Sequence, residues 1–264
     1  MKKKIDNPEW TCFREYSDYY DTLNCEKDYK LEAAYVSEIL DLYSPEGTHL
    51  LDLGCGTGIY LSHLVEGRWW ADGLDMSMNM LDVAKKRQAK LPPGVSDRIS
   101  FLHGDVRSFS LNKKYDAITS LFHVLSYQIS NSDILSMFEC VADHLNPGGV
   151  FLFDYWYGPA VLTIKPTVRI RRGISNDVHM VRIAEPSLDS ITSTVDVAYE
   201  IHLRDNRHCS TDVIRETHRM RYMFLNEIEF MLGRAGLALQ STAAWLTGEE
   251  PGLDTWSVYS VARK

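Results

Sequence analysis

The chain has 264 residues, 45% hydrophobic and 24% charged, ordinary globular composition and enough length for one α/β domain with an insertion. Its formal net charge of −8 argues against a nucleic-acid backbone as the main partner. No apolar run approaches the ~18 residues that cross a bilayer, and Lys2-Lys3-Lys4 precedes no apolar segment of a secretory signal. The cysteines, Cys12, Cys25, Cys55, Cys140 and Cys209, are scattered without a Cys-x-x-Cys pair. They read as reduced thiols of a cytoplasmic protein, and no His-Glu-x-x-His or other metal motif is present.

Residues 10–30 alternate tyrosines (Tyr16, Tyr19, Tyr20, Tyr29) with acids (Glu15, Asp18, Asp21, Glu26, Asp28). That text suits a short helix and loop closing over a pocket better than a strand. Leu31 to Leu42 shows helical spacing and stops at Ser44-Pro45-Glu46-Gly47. Leu50-Leu51-Asp52-Leu53 reads as a buried strand that breaks into Gly54-Cys55-Gly56-Thr57-Gly58, a turn where a ligand can lie against bare backbone. A helix follows from Ile59 to Val65, then a second strand from Trp69 to Leu74, ending in Asp75. Ser77 is placed to cap a helix that stops at Leu91-Pro92-Pro93-Gly94. A third strand, Ile99 to Leu102, leads into Gly104-Asp105-Val106, and a fourth runs from Tyr115 to Phe122. The polar cluster at Ser130 opens another helix, which ends at Asn146-Pro147-Gly148-Gly149 before a fifth strand, Val150 to Phe153. Apolar strands alternating with amphipathic helices predict a parallel sheet covered on both faces.

From Thr167 to Phe224 the pattern changes to strict alternation. Val195, Val197, Tyr199, Ile201 and Leu203 share one face, as do Glu216, His218, Met220, Tyr222 and Phe224, with Arg215, Arg219 and Arg221 opposite. These are expected to be antiparallel strands with one exposed face. A last helix opens at Leu225 or Asn226, and two strands, Leu237–Thr242 and Trp256–Ala262, end the chain.

In an open α/β sheet the ligand lies at the carboxyl ends of the strands. Asp75 stands there, about 20 residues beyond Asp52, where such folds set a carboxylate against a ribose diol. Asp105 ends the third strand in the same way. Ile59 occupies the place where a dinucleotide fingerprint wants its third glycine, and no arginine lies nearby for a 2′-phosphate, so NAD(P) is disfavoured.

The set Leu51-Asp52-Leu53-Gly54-Cys55-Gly56-Thr57-Gly58, Gly73-Leu74-Asp75-Met76-Ser77 with Met80-Leu81, Gly104-Asp105-Val106 and Leu145-Asn146-Pro147-Gly148-Gly149 resembles the class I S-adenosylmethionine-dependent methyltransferases from about Leu50 to Phe153. The resemblance implies an α/β, Rossmann-like, seven-stranded and mostly parallel sheet with helices on both faces and a small antiparallel β insertion. It also implies S-adenosyl-L-methionine as cofactor. Asp52, Gly54 and Gly56 would border its methionine part, Asp75 would take the ribose hydroxyls, and Met76 would pack on adenine. Asp105 would accept from the adenine amino group, the Val106 amide would contact the ring, and Leu121 would complete the donor side.

The acceptor side is expected in Leu121-Phe122-His123-Val124-Leu125-Ser126-Tyr127, where His123 and Tyr127, one helical turn apart, would face one pocket as candidate bases. Asp154-Tyr155-Trp156-Tyr157 adds an acid and three aromatics at the same sheet edge. The Asp/Asn-Pro-Pro-Tyr run of exocyclic-amine nucleic-acid methyltransferases is missing; Ser120-Leu121-Phe122-His123 stands in its place. Within the class, Tyr19-Tyr20-Asp21, Lys27-Asp28-Tyr29 with Glu32-Ala33, and the insertion resemble the enzymes that N-methylate nucleotide-linked amino sugars. That likeness puts Tyr20 beside the acceptor as a catalytic candidate and Tyr29 beside the methionine carboxylate. The family's histidine aligns better with Tyr127 than with His123, and Trp156-Tyr157-Gly158-Pro159-Ala160-Val161-Leu162 departs from its antibiotic-sugar members.

The expectation is therefore a small-molecule methyltransferase, with N-methylation of a nucleotide-linked amino sugar as the leading reading. Its rivals are O- or N-methylation of another metabolite, a non-catalytic S-adenosylmethionine-binding module, and an RNA methyltransferase. The expected organisation is an N-terminal helical cap (1–48), a donor-binding core (49–156), an insertion over the active site (157–224) and the closing helix and strands (225–264). A homodimer is compatible; nucleic acid and membrane are not expected partners. Arg169, Arg171 and Arg172, or Arg215, Arg219 and Arg221, are candidate contacts for a diphosphate.

Overall fold

The computed structural model describes residues 19–24, 27–175 and 177–264; the expectations for Cys12, Glu15, Tyr16, Asp18, Cys25 and Glu26 fall outside them. In chain order the elements are α1 (Tyr20–Leu23), α2 (Tyr29–Tyr43), β1 (His49–Leu53), α3 (Ile59–Leu64), β2 (Trp70–Asp75), α4 (Met78–Gln88), α5 (Pro93–Ser96), β3 (Ile99–His103) and β4 (Tyr115–Ser120). A 3-10 turn (Leu125–Tyr127) precedes α6 (Asn131–His144), β5 (Leu145–Tyr157) and α7 (Gly158–Ile164). Then come β6 (Arg169–Ser175), β7 (Val178–Asp189), β8 (Thr194–Asp205), β9 (Ser210–Met223), α8 (Leu225–Arg234), β10 (Ala238–Ala244) and β11 (Ser257–Arg263).

Side-chain oxygens start three of the helices, each taking a backbone N–H that has no partner inside the helix. Asp28 accepts from Leu31 N (2.9 Å), Ser77 from Met80 N (3.3 Å) and Ser130 from Asp133 N (3.0 Å). The fold is Rossmann-like α/β: β3, β2, β1, β4 and β5 pair in parallel, β11 lies antiparallel on β5, and β10 lies on β11.

The sheet is larger than the expected seven strands. Its ladder runs on through β9, β8, β7 and β6, eleven strands among the described residues, so the insertion is not a small appendage. The cause lies in β5. Pairing with β4 stops at Ser120 and Phe153, but β5 continues to Tyr157, and β9 takes up the vacated edge at Trp156 and Tyr157. The chain leaving β4 therefore has to turn through this split. Because β1 has β2 on one side and β4 on the other, the loops after β1 and β4 flank the point where strand order reverses, which is where ligands bind in such sheets.

Period-2 alternation on β5 divides the core. Phe151, Phe153 and Tyr155 pack with Phe138 and Leu232 on one face, whereas Val150 and Leu152 pack with Leu40, Leu50 and Leu61 on the other. Each fully buried side chain of this size contributes about 1.5–3 kcal/mol. Asp154 falls on the second face, an acid in line with Leu152.

Candidate active site

After β1 the backbone turns through three left-handed glycines, Gly54 (φ 72°), Gly56 (φ 54°) and Gly58 (φ 69°). Two of them are needed for different reasons. A Cβ on Gly54 would lie 2.5 Å from Val124 Cγ2, so this glycine lets the post-β4 turn pack onto the loop. A Cβ on Gly56 would meet nothing within 4 Å, because Gly56 borders open cavity. Asp75 holds the loop: its two oxygens accept from Gly56 N and Ser77 N, both at 2.8 Å. Burial still pushes its pKa up, against those two bonds. Asp52 lies beneath, 3% exposed, accepting from the Thr119 hydroxyl at 2.7 Å. Burial pushes it to about 7, with Asp75 and Asp154 adding to the rise.

Met76, Val106 and Leu121 line the same cavity. Asp105 lines it too, but Arg107 grips its carboxylate through its backbone N–H (2.9 Å), Nε (3.0 Å) and Nη2 (2.7 Å) and reaches on to Asp133 (3.1 Å). A carboxylate has about four acceptor positions, so room remains for one more donor. From the N-terminal side, Tyr29 stands edge-on to Tyr60 at 5.4 Å and Tyr20 edge-on to Phe122 at 6.2 Å, both at the cavity wall. Asp21 ties α1 across the glycine loop, taking the Thr57 hydroxyl at 2.8 Å and pairing with Arg87. Asp21 carried no such role in the sequence pattern.

The stretch after β4 is not the helical turn expected for His123 and Tyr127. Phe122 (φ 66°) and His123 (φ 65°) are both left-handed, a conformation that costs a non-glycine residue about 1–2 kcal/mol. Several contacts hold it. The His123 backbone N–H donates to Asp154 Oδ1 at 2.7 Å, and Lys27 Nζ sits 3.6 Å from the Phe122 ring centroid. Burial lowers the Lys27 ammonium pKa, with Glu32 (3.0 Å) and Asp154 opposing. The 3-10 turn then directs Tyr127 towards β9, where its hydroxyl meets His218 Nδ1 at 2.7 Å; His218 Nε2 lies 3.1 Å from Glu216 Oε2. His123 and Tyr127 do line one cavity, by this route rather than by helical spacing.

The His218–Glu216 pair was visible only as one face of a strand. Its partner Tyr127 is 91 residues away, and nothing local announces the contact. The structure divides the candidate arginines. Arg169 and Arg171 point to the cavity with Arg182, whereas Arg172 falls on the other face of β6 and is exposed. Arg215 and Arg219 also border the cavity but are tied to Glu200 and Asp196, and Arg221 is buried against Asn131 and Glu227. Arg182 stacks over Tyr199 at 5.0 Å and lies directly across the ladder from Arg171. The shared cavity measures about 1170 Å³, above the usual ~300–1,000 Å³ for one small ligand.

Among the described residues no group of His, Cys, Asp and Glu is arranged to hold a metal, and no helix is long and apolar enough to cross a membrane. An S-adenosylmethionine molecule fits the loop end: open space at Gly56, a half-buried carboxylate at Asp75 for a diol, and Met76 at the wall for a base. The acids Asp52 and Asp75 suit a cationic sulfonium.

Comparison with known proteins agrees with this. The family model described as "Methyltransferase domain" matches residues 50–149. A dTDP-3-amino-3,6-dideoxy-alpha-D-glucopyranose N,N-dimethyltransferase of Streptomyces fradiae is 27% identical over 86% of this chain and 85% of its own length. The dTDP-3-amino-3,4,6-trideoxy-alpha-D-glucopyranose N,N-dimethyltransferase of Streptomyces venezuelae is 34% identical over 55% of this chain, which spans 59% of that relative. Among solved structures, Streptomyces venezuelae DesVI superposes with a TM-score of 0.77 at 22% identity, covering 94% of this chain and 97% of that one. CalS10, an amino pentose methyltransferase from Micromonospora echinaspora, gives 0.74 at 23%, covering 95% and 97%. At such identities the superpositions establish the shared fold. The family match over the glycine loop, Asp75 and Asp105, together with the two Streptomyces relatives, gives the donor half its reading: residues 50–149 carry a methyltransferase domain, and the enzyme is an S-adenosylmethionine-dependent methyltransferase.

Proposed function

We propose that the enzyme N-methylates an amino sugar carried on a nucleotide. The observation that carries this reading is the pair Arg171 and Arg182, directly opposed on neighbouring strands of the cavity wall. Like charges so placed repel, and a diphosphate bound there would turn the repulsion into charge-assisted hydrogen bonds. The two relatives from Streptomyces are named for dTDP-linked amino sugars, which is such an anion joined to an amine.

When bound, S-adenosylmethionine supplies an electrophilic methyl group. The chain has to present the amine to it unprotonated and aligned, and alignment alone is worth up to about 7–11 kcal/mol. Val124 packs on Gly54 while Tyr127 reaches β9, so one short turn joins the donor loop to the acceptor wall. Tyr127, fixed by His218, orients the amine, and Tyr20 borders it from α1. His123 receives the proton that the nitrogen sheds as the new N–C bond forms. Burial holds its pKa below the usual histidine value, Asp154 opposing, so the imidazole is neutral and able to accept near pH 7. The free thiols of Cys55, Cys140 and Cys209 suit a cytoplasmic setting.

The test is incubation with S-adenosylmethionine and a panel of nucleotide-linked amino sugars, followed by mass spectrometry. A gain of one or two methyl groups on at least one sugar is expected. Donor binding with no methylated sugar from the whole panel would overturn the proposal.

A further inference from the structure

We infer that Asp154 is a positioning residue of the acceptor site, fixing which ring nitrogen of His123 faces the cavity. This rests on the reading of His123 as proton acceptor. Asp154 occupies a β5 position whose neighbour on the same face, Leu152, is core, and its side chain is 3% exposed. A buried carboxylate costs several kcal/mol unless its charge is used. Here one oxygen takes the His123 backbone N–H at 2.7 Å, and the other stands 3.2 Å from His123 Nδ1. The Nδ1 contact is close but out of hydrogen-bond alignment, and Nδ1 is buried with no other partner among the described residues. Catalytic hydrogen bonds are often loose in this way until the ligands are bound.

An ionised carboxylate only accepts. The favourable tautomer therefore carries its proton on Nδ1 and leaves the Nε2 lone pair for the cavity, which His123 lines. The groups around the carboxylate are His123, Lys27 and Glu32; burial raises its pKa and Glu32 adds to the rise, while His123 and the Lys27 ammonium oppose it and favour the ionised form. The same carboxylate also holds the backbone in its left-handed turn. Phe122 stacks on the imidazole at 5.7 Å and 24°, and Trp156 meets it edge-on at 6.1 Å, so the ring has little freedom to turn its other nitrogen outward. One side chain thus sets the place and the tautomer of the base together, an arrangement whose loss in enzymes typically costs orders of magnitude in turnover. A strained backbone held from several sides is where a functional constraint is expected.

The test reads the tautomer directly by 15N NMR of the histidine rings in the full chain with S-adenosylhomocysteine bound. Protonated Nδ1 and unprotonated Nε2 on His123 are expected; a proton on Nε2 overturns the inference. This measurement needs neither a variant nor an acceptor, so it stands apart from the search for a methylated sugar. In D154N the amide oxygen can keep the backbone N–H while its NH2 group donates to Nδ1, which should invert the tautomer. Turnover should then fall about 100-fold or more with donor affinity unchanged within 2-fold. The double variant D154N/H123N should be no slower than H123N alone. Wild-type turnover in D154N, or independent losses that multiply in the double variant, would each sink the assignment.

Discussion

The two ends of the cavity are built by different means. At the donor end, the hydrogen bonds that set the glycine loop join neighbouring strands of the core: Gly54 N to Leu74 O, Gly56 N to Asp75, Thr119 to Asp52. At the acceptor end the partners come from distant segments: Tyr127 with His218, His123 with Asp154, Arg171 with Asn24 on the far side of the chain. The donor end depends on backbone shape, which few residues can provide. The acceptor end depends on side chains displayed on a broad sheet, which can be exchanged one at a time without disturbing the loop. A single donor site can thereby serve many acceptors.

If the division is real, removing a donor-end group should affect donor binding alone. Asp75→Ala should have the largest effect, since it removes the acceptor of two backbone N–H groups and of a ligand diol. Hydrogen bonds to a charged group are worth about 1.5–3 kcal/mol each, so the Kd for S-adenosylhomocysteine should rise by about 10³-fold, measurable by isothermal titration. An unchanged affinity would break the comparison at its firmest point.

Next is Asp52→Asn, read in the ligand-free protein. Asp52 is pushed up to about 7 when folded, against an ordinary value of 3.8. Between those values the folded chain holds a proton that the unfolded chain has lost, so this group makes stability fall as pH rises through that window. Asparagine removes the cost while still accepting from Thr119. The variant should unfold about 2–4 kcal/mol later than wild type at pH 8 and close to it near pH 4, by urea denaturation at both pH values. A gap that widens towards acid would show that Asp52 is ionised and stabilising.

A smaller effect is expected from the glycines, and it has two signs. Gly54→Ala forces a left-handed alanine against Val124 and should cost about 2–3 kcal/mol of stability. Gly56→Ala meets no protein atom, so its stability cost should stay near 1 kcal/mol, with donor affinity taking the larger loss. Equal stability losses in the two variants would mean that Gly56 is a turn residue only.

The same division explains what could be read from the chain beforehand. The strand ends at Asp52 and Asp75, the caps at Ser77 and Ser130 and the turn glycines are local facts, because strand alternation, capping and positive φ act over a few residues. The strand alternation of β6 to β9 is legible too, and it alone sets Arg172 opposite Arg171; which of the two faces meets the cavity is not. The left-handed pair Phe122–His123 was illegible, since no local rule places two bulky residues there. Only Asp154, Lys27 and the rings around them make it tolerable, and those come together through β5 and α2. The union of β9 with β5 at Trp156 and Tyr157 was missed because strand partners, unlike strands, are not written in periodicity.

The smallest expected effect bears on the acceptor end. Arg182 stacks on Tyr199 and faces Arg171 across the ladder. If an anion bridges them, Arg182→Gln should raise acceptor KM about 10-fold, the worth of one charge-assisted hydrogen bond, with donor affinity unchanged. Arg172→Gln, one residue along β6 from Arg171 and on the other face, should change neither constant. A response in Arg172 equal to that in Arg182 would mean that charge on the sheet as a whole, rather than its inner face, draws the acceptor. The boundary between the two ends of the cavity would then lie at the turn itself, between Val124 on Gly54 and Tyr127 on His218.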